Sequence, residues 1–272
     1  MHEFDPSILT SLYIPSAPSH KGQNGKVMLI AGSKLFHAAS IWPLTVISRM
    51  VDMVFYASVA ENNELILKMK EQFLNGIVIP RENIDSYIAE ADCILIGPGM
   101  PREEGIREGD DDTKVLTESL LKKYKEKKWV IDGGSLQTIS PEMLPRTAII
   151  TPHKGEFQKL FGMEANGSTV SEMAKKYNIV ILSKGEEDII GSATETVVVK
   201  GGNAGMTKGG TGDVLAGLVA SLYAKNDAFL SACAASYINK KAGDSLFQRV
   251  GFYFNASDLA NEIPEVLKRL VL

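Results

Sequence analysis

Short apolar runs recur along this chain with room for about one helix between most of them, and no other feature restricts the fold so strongly. They lie at residues 26–31, 53–59, 93–96, 129–131, 148–150, 179–182 and 196–199. Their length and their valine and isoleucine content favour buried strands. Helix-period segments fall between them at 45–50, 62–69, 113–124 and 155–161, and then in succession at 213–224, 227–241 and 256–270. Strands alternating with helices predict an α/β fold, with a mostly parallel central sheet and helices on both faces. Pro43 is expected in the first turn of its helix rather than the interior, and Pro264 is expected to kink or split the last helix. Residues 1–25, with Pro6, Pro15, Pro18 and Gly22, read as irregular, the first 21 forming a leader laid over the domain. Without an internal repeat or a Pro/Gly/Ser-rich linker, residues 1–272 read as one domain.

Charge and composition exclude several classes of function. Lys and Arg total 29 against 33 Asp and Glu, so no basic excess exists to hold a nucleic-acid backbone. The longest apolar run, 214–224, is broken by Gly217 and Ser221 and falls short of a membrane span. The acidic N-terminus lacks the apolar core of a signal peptide. Cys93 and Cys233 sit in apolar stretches without metal-ligand spacing, which predicts buried thiols in a reducing, cytoplasmic setting. The acidic stretch 102–112 is expected to be a solvated loop, because neighbouring acids do not by themselves converge on an ion.

Residues 201–213 are the most informative for chemistry: six glycines in thirteen residues run into the helix that starts near Asp213. Such a turn lets backbone N–H groups approach a ligand, and a helix N-terminus favours an anion. The spacing fits neither a Walker A loop nor a dinucleotide fingerprint. Asp213 reads either as a first-turn cap or as a base that takes a proton from a substrate hydroxyl while the turn steadies phosphoryl oxygens. At Thr151-Pro152-His153-Lys154-Gly155-Glu156, Thr151 fits an N-cap and Pro152 the first helical position. That leaves His153 at a strand end, where open α/β sheets bind ligands. Gly97-Pro98-Gly99, Asp132-Gly133-Gly134 and Ser183-Lys184-Gly185 follow three further strands. Each is a tight turn or a point of ligand contact: Lys184 for phosphate, Asp132 for metal-linked phosphate. In a parallel sheet these strand ends share one edge, so the groups converge.

The ordered set of Ala31-Gly32-Ser33, these strand ends and Gly209-Gly210-Thr211-Gly212-Asp213 resembles the ADP/ATP-dependent NAD(P)H-hydrate dehydratases of the ribokinase-like superfamily. Asn203-x-Gly205-Met206 and Thr-Pro-His-x-Gly-Glu are the more particular parts, and the resemblance spans about residues 22–268. It implies repair of hydrated NADH and NADPH (NADHX and NADPHX), by phosphorylation of the added hydroxyl from ATP or ADP and elimination of phosphate. Asp213 is the implied catalytic residue, and Gly209, Gly210, Thr211 and Gly212 the implied anion hole. Lys184, Gly185, Glu186, Glu187, Asp188, Asn203 and Gly212 are the implied nucleotide segment. Ala39, Gly97, Gly99, His153 and Asp213 line the implied substrate pocket. The resemblance also implies Mg²⁺ with the nucleotide, no protein metal site, and a homo-oligomer. Three departures stand out: Ala38 where a glycine is common, Pro101 after Met100, and Asp132-Gly133-Gly134 where many members carry a second acid. A chain of this length is expected to lack the epimerase domain fused to many relatives. The rival readings are a kinase of the same superfamily acting on a vitamin-precursor alcohol, and a non-catalytic nucleotide-binding regulator.

Overall fold

The computed structural model of the protein describes residues 1–102 and 107–272. The described residues form one sheet of ten strands: β1 (His2–Glu3), β2 (Lys26–Ile30), β3 (Met53–Ala57), β4 (Ile77–Val78), β5 (Cys93–Ile96), β6 (Lys128–Ile131), β7 (Ala148–Ile150), β8 (Val180–Ser183), β9 (Asp188–Gly191) and β10 (Thr196–Val199). Their order is β1-β10-β9-β8-β7-β6-β5-β2-β3-β4. All pairings are parallel except those of β9, which runs antiparallel to both β8 and β10.

The strands are apolar on both faces because both are covered. In β2 and β5, Val27, Leu29, Cys93 and Leu95 point into one core, and Met28, Ile30, Ile94 and Ile96 into the other. The first core is closed by α1 (Ala38–Met50), α8 (Thr211–Tyr223), α9 (Ala228–Val250) and α10 (Ala256–Val271), with Ile66 of α2 (Ala60–Met69). The second is closed by α3 (Ile84–Glu90), α4 (Thr113–Lys123), α5 (Gly133–Thr138), α6 (Lys154–Phe161) and α7 (Gly167–Tyr177). Both cysteines are buried and unpaired, and burial pushes their thiols up.

Several expectations need correction. The leader is not irregular throughout: β1 pairs with β10 through His2 and Val197, and Phe4, Leu9 and Leu12 are buried. Helix α1 starts at Ala38, so Pro43 lies in its interior. The reason is packing, since α1 lies so close to α8 that a Cβ on Gly217 would sit 2.8 Å from the Pro43 Cα. That contact offsets the missing helix bond. Pro264 likewise lies inside an unbroken α10. Residues 107–112 of the acidic stretch are the surface loop expected, with the acids tied locally: Asp110 accepts from the Lys34 N–H, Asp111 pairs with Arg81, and Asp112 caps α4. Residues 103–106 of that stretch lie outside the described residues.

Candidate active site

The C-terminal ends of β2, β5, β6, β7 and β8 share one edge of the sheet, and α8 brings its N-terminus to it. Two buried carboxylates and a half-buried lysine hold the centre of this edge. Asp132, just past β6, accepts from the Lys184 ammonium at 2.7 Å and the Thr151 hydroxyl at 2.8 Å, both on its Oδ1. Glu156, in the first turn of α6, accepts from Gln137 Nε2 at 2.8 Å and from the His153 N–H at 2.9 Å. The Lys184 ammonium lies 4.0 Å from Glu156 Oε2. A Cβ on Gly212 would sit 3.5 Å from the same nitrogen, so Lys184 borders the first turn of α8.

These neighbours set the protonation of the site. Asp213 is pushed up to about 8, first by burial and then by Asp132, with Lys184 opposing and Glu156 adding to the rise. Desolvation would lower the Lys184 ammonium, but Asp132, Glu156 and Asp213 outweigh it and raise it. One lysine thus serves three carboxylates, and the excess negative charge makes Asp213 a weak acid that ionises near neutrality.

Helix α6 does not begin where the sequence suggests. Thr151 is buried and its hydroxyl is committed to Asp132, so it caps nothing. His153 is the N-cap instead: Nδ1 accepts from the Glu156 N–H at 3.1 Å, and Glu156 answers on the His153 N–H. With Nδ1 accepting, the neutral ring keeps its proton on Nε2. The side chain is 55% exposed, and its Nε2 lies 3.6 Å from Glu156 Oε1. His153 and Lys184 also form a parallel bridge beyond β7 and β8, sealed by the Lys184 N–H on the Pro152 carbonyl at 2.8 Å.

A family model described as NAD(P)H-hydrate dehydratase matches residues 27–265. The chain belongs to that family. It is 34% identical to the ADP-dependent (S)-NAD(P)H-hydrate dehydratase of Nitrosopumilus maritimus, over 96% of this chain and 95% of the relative. It is 37% identical to a bifunctional NAD(P)H-hydrate repair enzyme of Methanocaldococcus jannaschii, over 92% of this chain. It spans about half the length of that relative and of a second bifunctional one. Two solved structures show the fold to be ribokinase-like. One is a ribokinase-like superfamily protein from Enterococcus faecalis, with TM-score 0.86 and 23% identity over 99% of this chain and 96% of the other. The other is an ADP/ATP-dependent NAD(P)H-hydrate dehydratase from Bacillus subtilis co-crystallized with ATP/Mg²⁺, with TM-score 0.82 and 21% identity over 99% and 98%.

His153, Lys184, Gly185, Glu186, Asp188 and Asn203 share a cavity of about 610 Å³ with Thr211 and Gly212. Not all of them present a free side chain. Asp188 accepts from the Gly185 N–H at 2.9 Å and the Ser236 hydroxyl at 2.7 Å, so it shapes the loop that forms the wall. Asn203 accepts from the Gly205 N–H and donates to the Gly243 carbonyl. Thr211 spends its hydroxyl on the Met206 and Lys208 carbonyls and its N–H on the Lys208 carbonyl at 3.4 Å. Glu187 is exposed and lies outside the lining. Gly210 has φ +94° and starts α8 with no side-chain cap, roofed by Trp42, while Gly209 has open space around it. On the other side of the edge, Gly97 abuts the Asp132 carbonyl so closely that a Cβ would lie 1.8 Å from its oxygen. A Cβ on Gly99 would lie 2.6 Å from that of Ala39, so these two expected substrate residues are neighbours.

Sequence reasoning missed the roles of Glu156 and Lys240. Lys240 is buried and donates to the Gly185 and Glu186 carbonyls, bracing the cavity wall from α9. The available signal was a lysine among the apolar residues of a helix, a position that needs a partner.

Proposed function

We propose that this chain dehydrates the S form of hydrated NADH and NADPH at the expense of ATP or ADP. The observation that carries the reading is Asp213, a carboxyl ionising near 8, in the first turn of a helix that has no side-chain cap. A base with a pKa near the working pH is matched to removing a hydroxyl proton. In the first step the ring hydroxyl oxygen attacks the terminal phosphorus, its proton passes to Asp213, and the bond from phosphorus to the nucleotide's bridging oxygen breaks. The N–H groups of Gly209, Gly210 and Gly212 steady the phosphoryl oxygens, and Lys184 adds a positive charge. In the second step the carbon–oxygen bond breaks, phosphate leaves with the electron pair, and the adjacent ring carbon loses a proton. The double bond of the dihydronicotinamide is thereby restored. The nucleotide takes the cavity walled by Gly185, Glu186 and Asn203; the hydrated ring takes the side of Ala39, Gly97, Gly99 and His153.

The residues present fit a magnesium ion that arrives with the nucleotide. Among the described residues no three His, Cys, Asp or Glu side chains converge to cage an ion. Magnesium commonly binds through one or two carboxylates and substrate phosphates. Asp132 would hold it, since only Oδ1 is engaged by hydrogen bonds among the described residues. When bound, the ion neutralises phosphate charge.

The name and near end-to-end match of the Nitrosopumilus maritimus relative support this activity. We place the protein in the cytoplasm as a single-domain homo-oligomer. The free buried thiols fit a reducing compartment, and exposed Phe247, Phe252 and Tyr253 fit contact with a second copy. No helix of the described residues is long and apolar enough to cross a membrane. The test is recovery of near-ultraviolet nicotinamide absorbance from purified NADHX with Mg²⁺ and ATP or ADP. Recovery that requires the nucleotide is expected. A stable phosphorylated product without recovered absorbance would instead make this a small-molecule kinase.

A further inference from the structure

Asn239 lies within α9 and is 5% exposed. Its Oδ1 is sealed from solvent with no donor in reach. Buried amides are almost always paired, so an orphan calls for a missing partner. The other such oxygen among the described residues, Thr196 Oγ1, is in β10, outside the cavity between Lys184 and α9. Asn239 lines that cavity. The residues on the same helical face already have roles: Ser236 donates to Asp188, Lys240 holds the Gly185 and Glu186 carbonyls, and the Gly243 carbonyl receives Asn203. Asn239 alone supports nothing in the wall.

We infer that Asn239 reads the base of the bound nucleotide, its amide oxygen accepting a hydrogen bond from the amino group of adenine. The inference rests on the proposed function in so far as that places an adenine nucleotide in this cavity. The amide oxygen is an acceptor, and the amino group on the edge of adenine is a donor. With Oδ1 sealed inward, a half-turn of the amide plane carries the acceptor to the cavity side. Leu215 and Met206 line the same space and offer apolar surface to a flat ring. Gly212 and Lys184 mark the phosphate end, so a base against α9 leaves the terminal phosphoryl group beside Asp213.

The test compares binding of ADP, 2′-deoxy-ADP and purine riboside 5′-diphosphate, which lacks the amino group, to wild type and to Asn239→Leu. Calorimetry without the hydrated dinucleotide suffices. Wild type is expected to bind ADP roughly tenfold more tightly than the purine analogue. The variant is expected to lose about that factor for ADP, and to bind ADP and the analogue alike. In turnover, the nucleotide KM rises while kcat and the NADHX KM stay nearly unchanged. The melting temperature of the free variant is expected not to fall, because an unpartnered buried amide has been removed. Asn239→Ala supplies the same readout if leucine strains the packing. Equal losses for ADP and the analogue, or sensitivity to the 2′-hydroxyl instead of the amino group, overturn the inference. Wild type that binds no adenine nucleotide overturns the proposed function as well, whereas binding with discrimination intact in the variant overturns this inference alone.

Discussion

Helices α6 and α8 both begin at the C-terminal edge of the sheet, and they treat their first turns in opposite ways. Helix α6 closes its own N-terminus: His153 and Glu156 exchange hydrogen bonds in a complete capping box. Helix α8 starts from Gly210 with no side-chain cap, and the position of a Cβ on Gly212 meets nothing nearer than the Lys184 ammonium. Every helix leaves N–H groups without partners in its first turn, and a chain normally supplies a side chain or water for them. The closed end fixes a carboxylate in place. The open end keeps its donors for a ligand, and the carboxylate fixed by the closed end tunes the acid standing in it.

The strongest way to break this comparison is at Asp213. Asp213→Asn is expected to reduce NADHX turnover by about a thousandfold or more, while calorimetry finds ADP affinity within a few-fold of wild type. A matching loss of binding would make the residue a structural cap. Next, Gly212→Ala places a methyl group in the open corner, and turnover is expected to drop roughly a hundredfold with little change in melting temperature. Gly210→Ala differs, since its Cβ would lie 2.2 Å from the Trp42 ring at φ +94°. A loss of about 2 kcal/mol or more in chemical denaturation is expected there.

The pH dependence sharpens the contrast. Because Asp213 must be ionised to act and does so near 8, kcat/KM is expected to rise about tenfold per pH unit on the acid side and to level off above that value. Stability runs the other way. The folded chain holds this proton up to about 8, while an exposed aspartate releases it near 3.8. Folding is therefore weakened as pH rises between those values. Asp213→Asn should melt above wild type at pH 8, and the difference should vanish toward pH 4. The smallest effect is expected at the closed end. Glu156→Gln should cost about 1 kcal/mol of stability through the weakened capping box. It should also shift the acid limb of the rate profile to lower pH, because one of the charges raising Asp213 is gone. An unmoved limb would separate the two helix ends electrostatically.

The sequence was most legible where pattern and burial agree. The apolar runs at β5, β7 and β10 are the strands themselves, residue for residue. Strand β9 escaped because it opens with Asp188 and closes with Gly191, leaving only two apolar residues between them, and its direction opposes its neighbours. Helix α7 escaped because it opens on Gly167, Ser168 and Thr169, which read as loop until Asn166 is seen to cap them. At the site, the glycine spacing exposed the open end of α8. It could not reveal that Thr151 turns to Asp132, that Asp188 faces inward, or that Asn239 is left without a partner. Those facts depend on which strands are neighbours, a relation that distant segments acquire only on folding.

The bridge between His153 and Lys184 has a consequence for how this protein can vary. It places the two residues one ladder spacing apart, about 4.8 Å, so the sheet itself gauges the gap between them. One residue inserted between Ile150 and His153 would break that register and turn the histidine to the opposite face. Past Gly185 the exposed Glu186 and Glu187 form the turn into β9, and their side chains can change without disturbing the gauge. Variation in what this fold accepts is thereby channelled into the walls around the reacting centre, while the two side chains keep their spacing.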